Sequence, residues 1–439
     1  MNRVLKVSAS TLVEADLIES KGRSKGQLFA FALAPIFLTS LADWSMLLYL
    51  ASFAVFTTPG PTYDSQIRGS LLIFIPLIFF MTVTGYLSEK LSTLNNYKSN
   101  WNRLDKAKLF RLTMALALTS SQLRQTLSPE IIAALLCLIL LSSHWSLLFI
   151  LKKVLPSADK ESFNKNLAPA VACWCLGQAV SLKLAPALTN TFGASWPLNI
   201  CLILYLISII TVFFNQLESA TPIQVQAKRK KENSSSKDPF PHGLMVGLMS
   251  LPAIALLTAC SIFAVQGQVV QTSAQVFLPM SELAAGLSLS FAAGALLSPF
   301  IEQRLSIKKL WLVMSLLSLS LYLSGAICKG SSLAVFCLYA SAALTGATAI
   351  GEEARFLGGL SQSGNSGVII SLRNVGVLFL SALIAIYLEE NLSLVSSLYF
   401  LKELNAVGAV VVVASMLMAP ITVVFGTKIK KLLAKNRDA

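Results

Sequence analysis

Charge is what this chain has least of. Charged side chains make up 13% of its 439 residues, while 55% are hydrophobic. A water-soluble globular domain carries about a quarter charged residues, so a soluble fold is excluded and an integral membrane protein is indicated. Histidine is nearly absent too. The two His stand far apart, at His144 and His242, which leaves no zinc site or histidine-based hydrolytic centre to assemble. The seven Cys (137, 173, 175, 201, 260, 328, 337) sit mostly inside apolar runs with no repeated CxxC, so neither a metal knuckle nor a disulfide framework is indicated. No G-x-x-x-x-G-K-[ST] phosphate loop occurs, which argues against a pump powered by its own ATP hydrolysis. A signal-peptide pattern is missing, because residues 1–27 mix both charge signs before the first apolar run. Apolar and polar residues do not alternate along the hydrophobic runs, which excludes a β-barrel.

The longest polar run, Gln216 to His242, organises what remains. It holds Lys228, Arg229, Lys230 and Lys231, then a Ser-rich stretch ending in Pro239 and Pro241. Too polar to bury itself, it reads as a basic linker at residues 216–242. Roughly six segments long enough to span a bilayer stand on either side of it. The spans expected before it lie near 28–56, 68–88, 109–123, 131–151, 167–188 and 196–215. Those expected after it lie near 243–265, 278–301, 310–327, 332–350, 366–388 and 404–426. The fold class is therefore all-α integral membrane, twelve transmembrane helices in two six-helix pseudo-symmetric halves. Its parts are a tail at 1–27, a first half at 28–215, the linker, a second half at 243–426 and a basic tail at 427–439. On this map about 28 of the 35 Lys and Arg fall on one side and about 4 on the other. That bias places both termini and the linker in the cytoplasm of a bacterial inner membrane. It also accounts for the net charge of +14 without nucleic acid.

Two charged motifs stand roughly half the chain apart. The first is Gly85-Tyr86-Leu87-Ser88-Glu89-Lys90-Leu91, after the second span. The other is Ser298-Pro299-Phe300-Ile301-Glu302-Gln303-Arg304, after the eighth. A small residue at a helix end with an acid and nearby bases suits a conformational latch, with Gly85, Glu89, Lys90, Glu302 and Arg304 as its candidates. The pattern resembles the signature of the major facilitator superfamily. Residues 155–166, then Ala185-Pro186-Ala187-Leu188 and Phe192-Gly193-Ala194, are similar to the branch holding the enterobactin exporter and macrolide-type efflux pumps. Phe37-Leu38-Thr39-Ser40-Leu41-Ala42-Asp43-Trp44 resembles the first helix of bacterial lysophospholipid transporters of the same superfamily, with Trp44 in place of their Asn. These resemblances imply alternating access between two halves about a midplane site.

Ionisable residues inside spans carry the chemistry, since a lone charge in hydrocarbon is expensive and faces a cavity or a partner. Asp43, midway along the first span, suits proton or cation coupling, or alternatively a hydrogen bond between packed helices. Lys183, just before an expected Ala-Pro break, and Arg373 with Asn374 are candidates for substrate or ion contact. Arg373 has the fork geometry for a phosphate or carboxylate head group. Glu282 reads as a helix cap. Glu352, Glu353 and Arg355 read as a solvated cluster beyond their span. The functional expectation is a secondary transporter exporting a small amphipathic organic solute, drug- or siderophore-like, as an ion-coupled symporter or antiporter. Proton and sodium both remain open as the coupling ion, and no cofactor and no enzymatic activity are expected. Partners are the solute or a lipid, membrane lipids and the coupling ion. A lysophospholipid flippase is the alternative in the same class. A non-transporting receptor or scaffold is the alternative outside it.

Overall fold

A computed structural model describes residues 33–46, 160–193, 196–218, 280–304, 307–328, 331–360 and 404–410, with isolated helical positions at 112–113, 116, 131, 138, 383, 402 and 412–413. Every regular element among them is helical. We number these α1 (33–46), α2 (Lys160–Phe192), α3 (Trp196–Glu218), α4 (Met280–Arg304), α5 (Ile307–Ile327), α6 (Ser331–Leu360) and α7 (404–410). The spans expected near 68–88, 109–123, 131–151, 243–265 and 366–388 lie wholly or almost wholly outside the described residues. So do both tails and the linker from residue 219 onward.

The helices run longer than the apolar stretches that announce them. Hydropathy predicts a loop through residue 166, yet α2 starts at Lys160. α3 continues through Glu218, and α6 carries Glu352, Glu353 and Arg355 within its last turns rather than in a loop beyond it. The reason is that helical hydrogen bonds are made within the backbone, so a helix does not stop where its side chains turn polar. The expected break at Ala185-Pro186 is likewise corrected. α2 continues through both Pro169 and Pro186 to Phe192, since neighbouring helices let a long apolar helix tolerate proline. What ends α2 is Gly193, at a φ of 102° where a side chain would be strained. The Trp196 amide then donates to the Gly193 carbonyl at 3.2 Å, and the Phe192 and Trp196 rings meet at 5.0 Å to close the α2–α3 turn.

The described helices are apolar on their exposed faces as well as in their core. On α3, Cys201, Leu204, Tyr205 and Ser208 form the buried stripe, and Ile203, Leu206, Ile207 and Ile210 form the exposed one. Both stripes follow the i, i+3, i+4, i+7 spacing of a single helix face. On α2 the exposed side carries Leu176, Val180 and Leu184, while Gln178 and Ser181 are buried. Large apolar groups on the outer faces, with an apolar core that also takes in small polar groups, make a surface suited to hydrocarbon. Two described stretches, Leu167–Ala185 and Glu282–Ile301, are long and apolar enough to cross a bilayer.

Contacts fix the relative directions. α1 and α2 run in the same sense, with Ser40 against Trp174 and Ser45 against Ser181. α3 folds back from α2 through the Gly193 turn and so runs opposite to α1. α4 and α6 run in the same sense, and α5 folds back antiparallel onto α6, with Ser318 against Ser341 and Thr345. Close approach depends on absent side chains. A Cβ at Gly177 would lie 2.7 Å from the Phe37 carbonyl oxygen and 2.8 Å from Ser40 Cβ. At Gly294 it would overlap the Ala343 carbonyl, and at Gly346 the Phe291 carbonyl, so α4 and α6 touch backbone to backbone. Gly294→Val is therefore expected to force the two helices apart, at a cost of about 1–3 kcal/mol for overpacking. Thermal unfolding of the purified protein in mild detergent checks this. Gly193→Val is the comparison, with a strained turn but open space around it.

Candidate functional site

Two polar constellations stand out. The first surrounds Asp43. α1 is buried on both flanks because hydroxyls and a glycine on α2 take one side and the buried stripe of α3 takes the other. Ser40 Oγ donates to the Trp174 carbonyl at 2.6 Å. Ser45 Oγ donates to the Leu41 carbonyl at 2.8 Å, which uses its only proton, so Ser181 is the donor in the 2.8 Å contact between the two hydroxyls. On the α3 side, Cys201 Sγ donates to the Ala42 carbonyl at 3.1 Å, and Tyr205 donates its phenolic proton to Asp43 Oδ1 at 2.8 Å. Asp43 is 5% exposed and Tyr205 2%. The carboxylate thus lies in a helix–helix interface and accepts a hydrogen bond across it.

The second constellation is a seam between α2 and α4, which lie on opposite sides of the basic linker in sequence. They run antiparallel. Near the middle, Val171, Ala172 and Cys175 meet Phe291 and Ala292. Farther along, Lys183 Nζ lies 3.9 Å from Glu282 Oε1, both side chains being about half exposed or more. Glu282 stands in the first turn of α4, where an acid also complements the helix dipole. Between these contacts the antiparallel register brings Gln178 level with Ser288. Ser288 shares a face with Phe291 and Ala292. Its side chain is fully buried, and its hydroxyl has no hydrogen-bond partner among the described residues.

Magnitudes separate the roles of these groups. A hydrogen bond to a buried charged group contributes about 1.5–3 kcal/mol, so Tyr205–Asp43 is a firm tie. An exposed ion pair contributes about 0–1 kcal/mol, so Lys183–Glu282 is a soft one. A buried hydroxyl without a partner costs about 1–3 kcal/mol, which works against the closed seam at Ser288.

Of the residues expected from sequence, the structure places Asp43 on α1 against α3, and Lys183 on α2 against α4. The two lie on different contacts. Glu302 and Arg304 fall in the last turn of α4. Gly85, Glu89, Lys90, Arg373 and Asn374 lie outside the described residues, and with them the first latch motif. Tyr205 and Ser288 are not singled out by the sequence, and Glu282 reads there only as a cap. For Tyr205 a signal is present, since it is the one phenol on the 201–204–205–208 stripe of an otherwise apolar helix. Among the described residues no three His, Cys, Asp or Glu side chains come together as a metal-binding group.

Neither a family model nor a curated protein matches the sequence. Solved structures do match the fold. One is a bacterial homologue of the iron transporter ferroportin in an outward-facing state, at a TM-score of 0.59 and 14% identity, covering 90% of this chain and 98% of that one. Another is an auto-inhibited peptide transporter of the POT family, at a TM-score of 0.57 and 11% identity, covering 90% and 97%. A third is a mutant of the nucleoside transporter NupG, at 0.58 and 13%, covering 89% and 99%. The chain therefore has, over about nine tenths of its length, the all-helical fold seen in these transporters.

Replacing Tyr205 by Phe should lower stability by about 1.5–3 kcal/mol, because it strips a buried carboxylate of a donor. Ser181→Ala should cost about 1 kcal/mol or less, since Ser45 keeps its bond to Leu41. Denaturant titration of the three proteins in mild detergent checks the ranking, and equal losses would contradict it.

Proposed function

We propose that this chain is a membrane-embedded secondary transporter of major-facilitator type. It moves a small amphipathic organic solute, drug- or siderophore-like, by alternating access driven by an ion gradient. The observation that carries this reading is the α2–α4 seam. Two helices from segments far apart in sequence meet through Val171, Ala172, Cys175, Phe291 and Ala292, and along the same contact they carry an exposed ion pair and a hydroxyl unpartnered among the described residues. A contact between segments on either side of the linker is where a rocking mechanism works, and its exposed charges can part and re-form at little cost. The likeness in fold to iron, peptide and nucleoside transporters supports the class, and their different substrates leave the cargo open. The apolar outer faces of α2, α3 and α4 support an embedded location.

Within this reading Asp43 is the proposed coupling carboxylate, because it is a deeply buried acid in a bundle with an apolar exterior. Arg373 and Asn374 are the proposed polar contacts to solute. The paired acid–base motifs around Glu89 with Lys90 and Glu302 with Arg304 are the proposed cytoplasmic latch. Efflux is the proposed direction and an inner membrane the proposed location.

Purified protein in proteoliposomes tests the proposal. The vesicles are given a proton or a sodium gradient and offered a cationic dye, a catechol-bearing chelator and a labelled lysophospholipid. Gradient-driven movement of the dye or the chelator is expected, and Asp43→Asn should reduce it to background while leaving exchange without a gradient. Movement of the lysophospholipid alone would replace the solute reading with a lipid one. No movement of any compound by folded, reconstituted protein would overturn the transport reading.

A further inference from the structure

We propose that Lys183 and Glu282 form a charge clasp that holds one end of the α2–α4 seam closed, and that buried Ser288 is the group that keeps the closed seam reopenable. The inference rests on the transport reading for its purpose, and on the geometry of the seam for its existence.

Three observations lie along one line. At the first level the seam is apolar, where Val171, Ala172 and Cys175 meet Phe291 and Ala292. At the second it is polar and covered. Gln178 is 5% exposed and Ser288 fully buried, and the Ser288 hydroxyl lacks a partner among the described residues. At the third it is charged and open, with Lys183 and Glu282 at 3.9 Å and their side chains 63% and 46% exposed. From the apolar level to the clasp is roughly 12–18 Å along α2, at about 1.5 Å of rise per residue. A pair at the end of so long a contact acts at leverage. Water reaches the charges without any movement of the helices, so breaking the pair needs no desolvated charge and little energy. Once the charged end parts, water can follow to the level of Ser288 and supply the hydrogen bond that the closed form denies it. The orphan hydroxyl therefore favours opening, and the clasp opposes it. Lys183 accordingly holds the helices together rather than touching cargo.

The pair is also placed between the right elements. α2 packs on α1 and α3 and most extensively on α4, while α4 also packs on α6, which holds α5 as well. α2 also touches α6 directly. Lys183–Glu282 thus joins a group of helices before the linker to a group after it.

Double electron–electron resonance on the full chain in nanodiscs tests the clasp. Ketone-bearing non-canonical residues at 187 and 333 are spin-labelled, which leaves the native cysteines alone. Both positions are exposed. Residue 187 lies near the end of α2 and residue 333 near the start of α6, at the same end of the bundle as the clasp. Wild-type protein should give a dominant short distance and a minor long one. Lys183→Glu should raise the long population roughly fivefold, the size of one exposed charge pair, and so should Glu282→Lys. The combined swap should restore the wild-type ratio. Ser288→Ala should deplete the long population. Where Lys183→Glu gives no folded protein, Lys183→Gln carries the same expectation at smaller size. Distances unchanged across the series, or a swap that fails to restore the ratio, would overturn the clasp. If the distances respond but no compound of the vesicle panel crosses, the transport reading fails and the clasp stands. If a compound crosses and the distances do not respond, the clasp alone fails.

Discussion

An apolar exterior leaves no water to satisfy polar groups along the sides of the helices, and most of the structure follows from that constraint. A hydroxyl there is stabilised by finding a carbonyl, another hydroxyl or a carboxylate inside the bundle, and costs free energy where it does not. Many do so within their own helix, as Thr345 does at the Ser341 carbonyl and Thr348 at that of Leu344. Others reach a neighbouring helix and so become the ties of the bundle. Ser40 to Trp174 and Ser181 to Ser45 fasten α1 to α2. Tyr205 to Asp43 fastens α1 to α3. Asn405 Nδ2 to the Ala334 carbonyl, at 3.4 Å, ties α7 to the start of α6. In hydrocarbon the hydrophobic effect does not drive helix association, so these ties and close glycine contacts carry it instead.

The ties are uneven, and the unevenness has a functional sense. Around α1 they are short, buried and shared with a carboxylate. Between α4 and α6 the backbones touch at Gly294 and Gly346. Both regions are built to stay together. The α2–α4 contact is different. Its packing is extensive, but its ion pair is exposed, and its Ser288 hydroxyl, like those of Thr39 on α1 and Ser298 on α4, is buried without a partner among the described residues. The similarity in fold to several transporters with unlike cargoes shows a shared frame and leaves the cargo open.

Much of the frame is legible in the sequence. The apolar runs near 167–188, 196–215, 278–301, 310–327 and 332–350 each fall on a helix of the structure. Hydropathy misplaces their ends because it measures where lipid-compatible side chains stop, and α2 and α6 continue as helices past that point. Asp43 is legible as a buried acid, because an aspartate amid Leu, Ala and Met in a span turns inward to a cavity or a partner rather than outward to lipid. Its partner is less so. Nothing local ties residue 43 to residue 205, and only the stripe of Cys201, Leu204, Tyr205 and Ser208 hints that the phenol faces inward. Lys183–Glu282 is harder still, since it depends on which helix lies beside which. Pro186 misleads for a physical reason, as a proline that would stop a soluble helix is tolerated where other helices surround it.

An embedded bundle depends throughout on the apolar outer faces of its helices, so the most direct measurement is their accessibility in a bilayer. A nitroxide scan along 172–184 of α2, in reconstituted protein, would compare relaxation by oxygen, which concentrates in lipid, with relaxation by a water-soluble nickel chelate. An embedded α2 predicts high oxygen and low nickel exposure at Leu176, Val180 and Leu184, low exposure to both at Ala179 and Leu182, and a repeat of about 3.6 residues between maxima. High nickel exposure at Leu176, Val180 and Leu184 would mean that this face meets water, and would contradict the embedded bundle on which the rest stands.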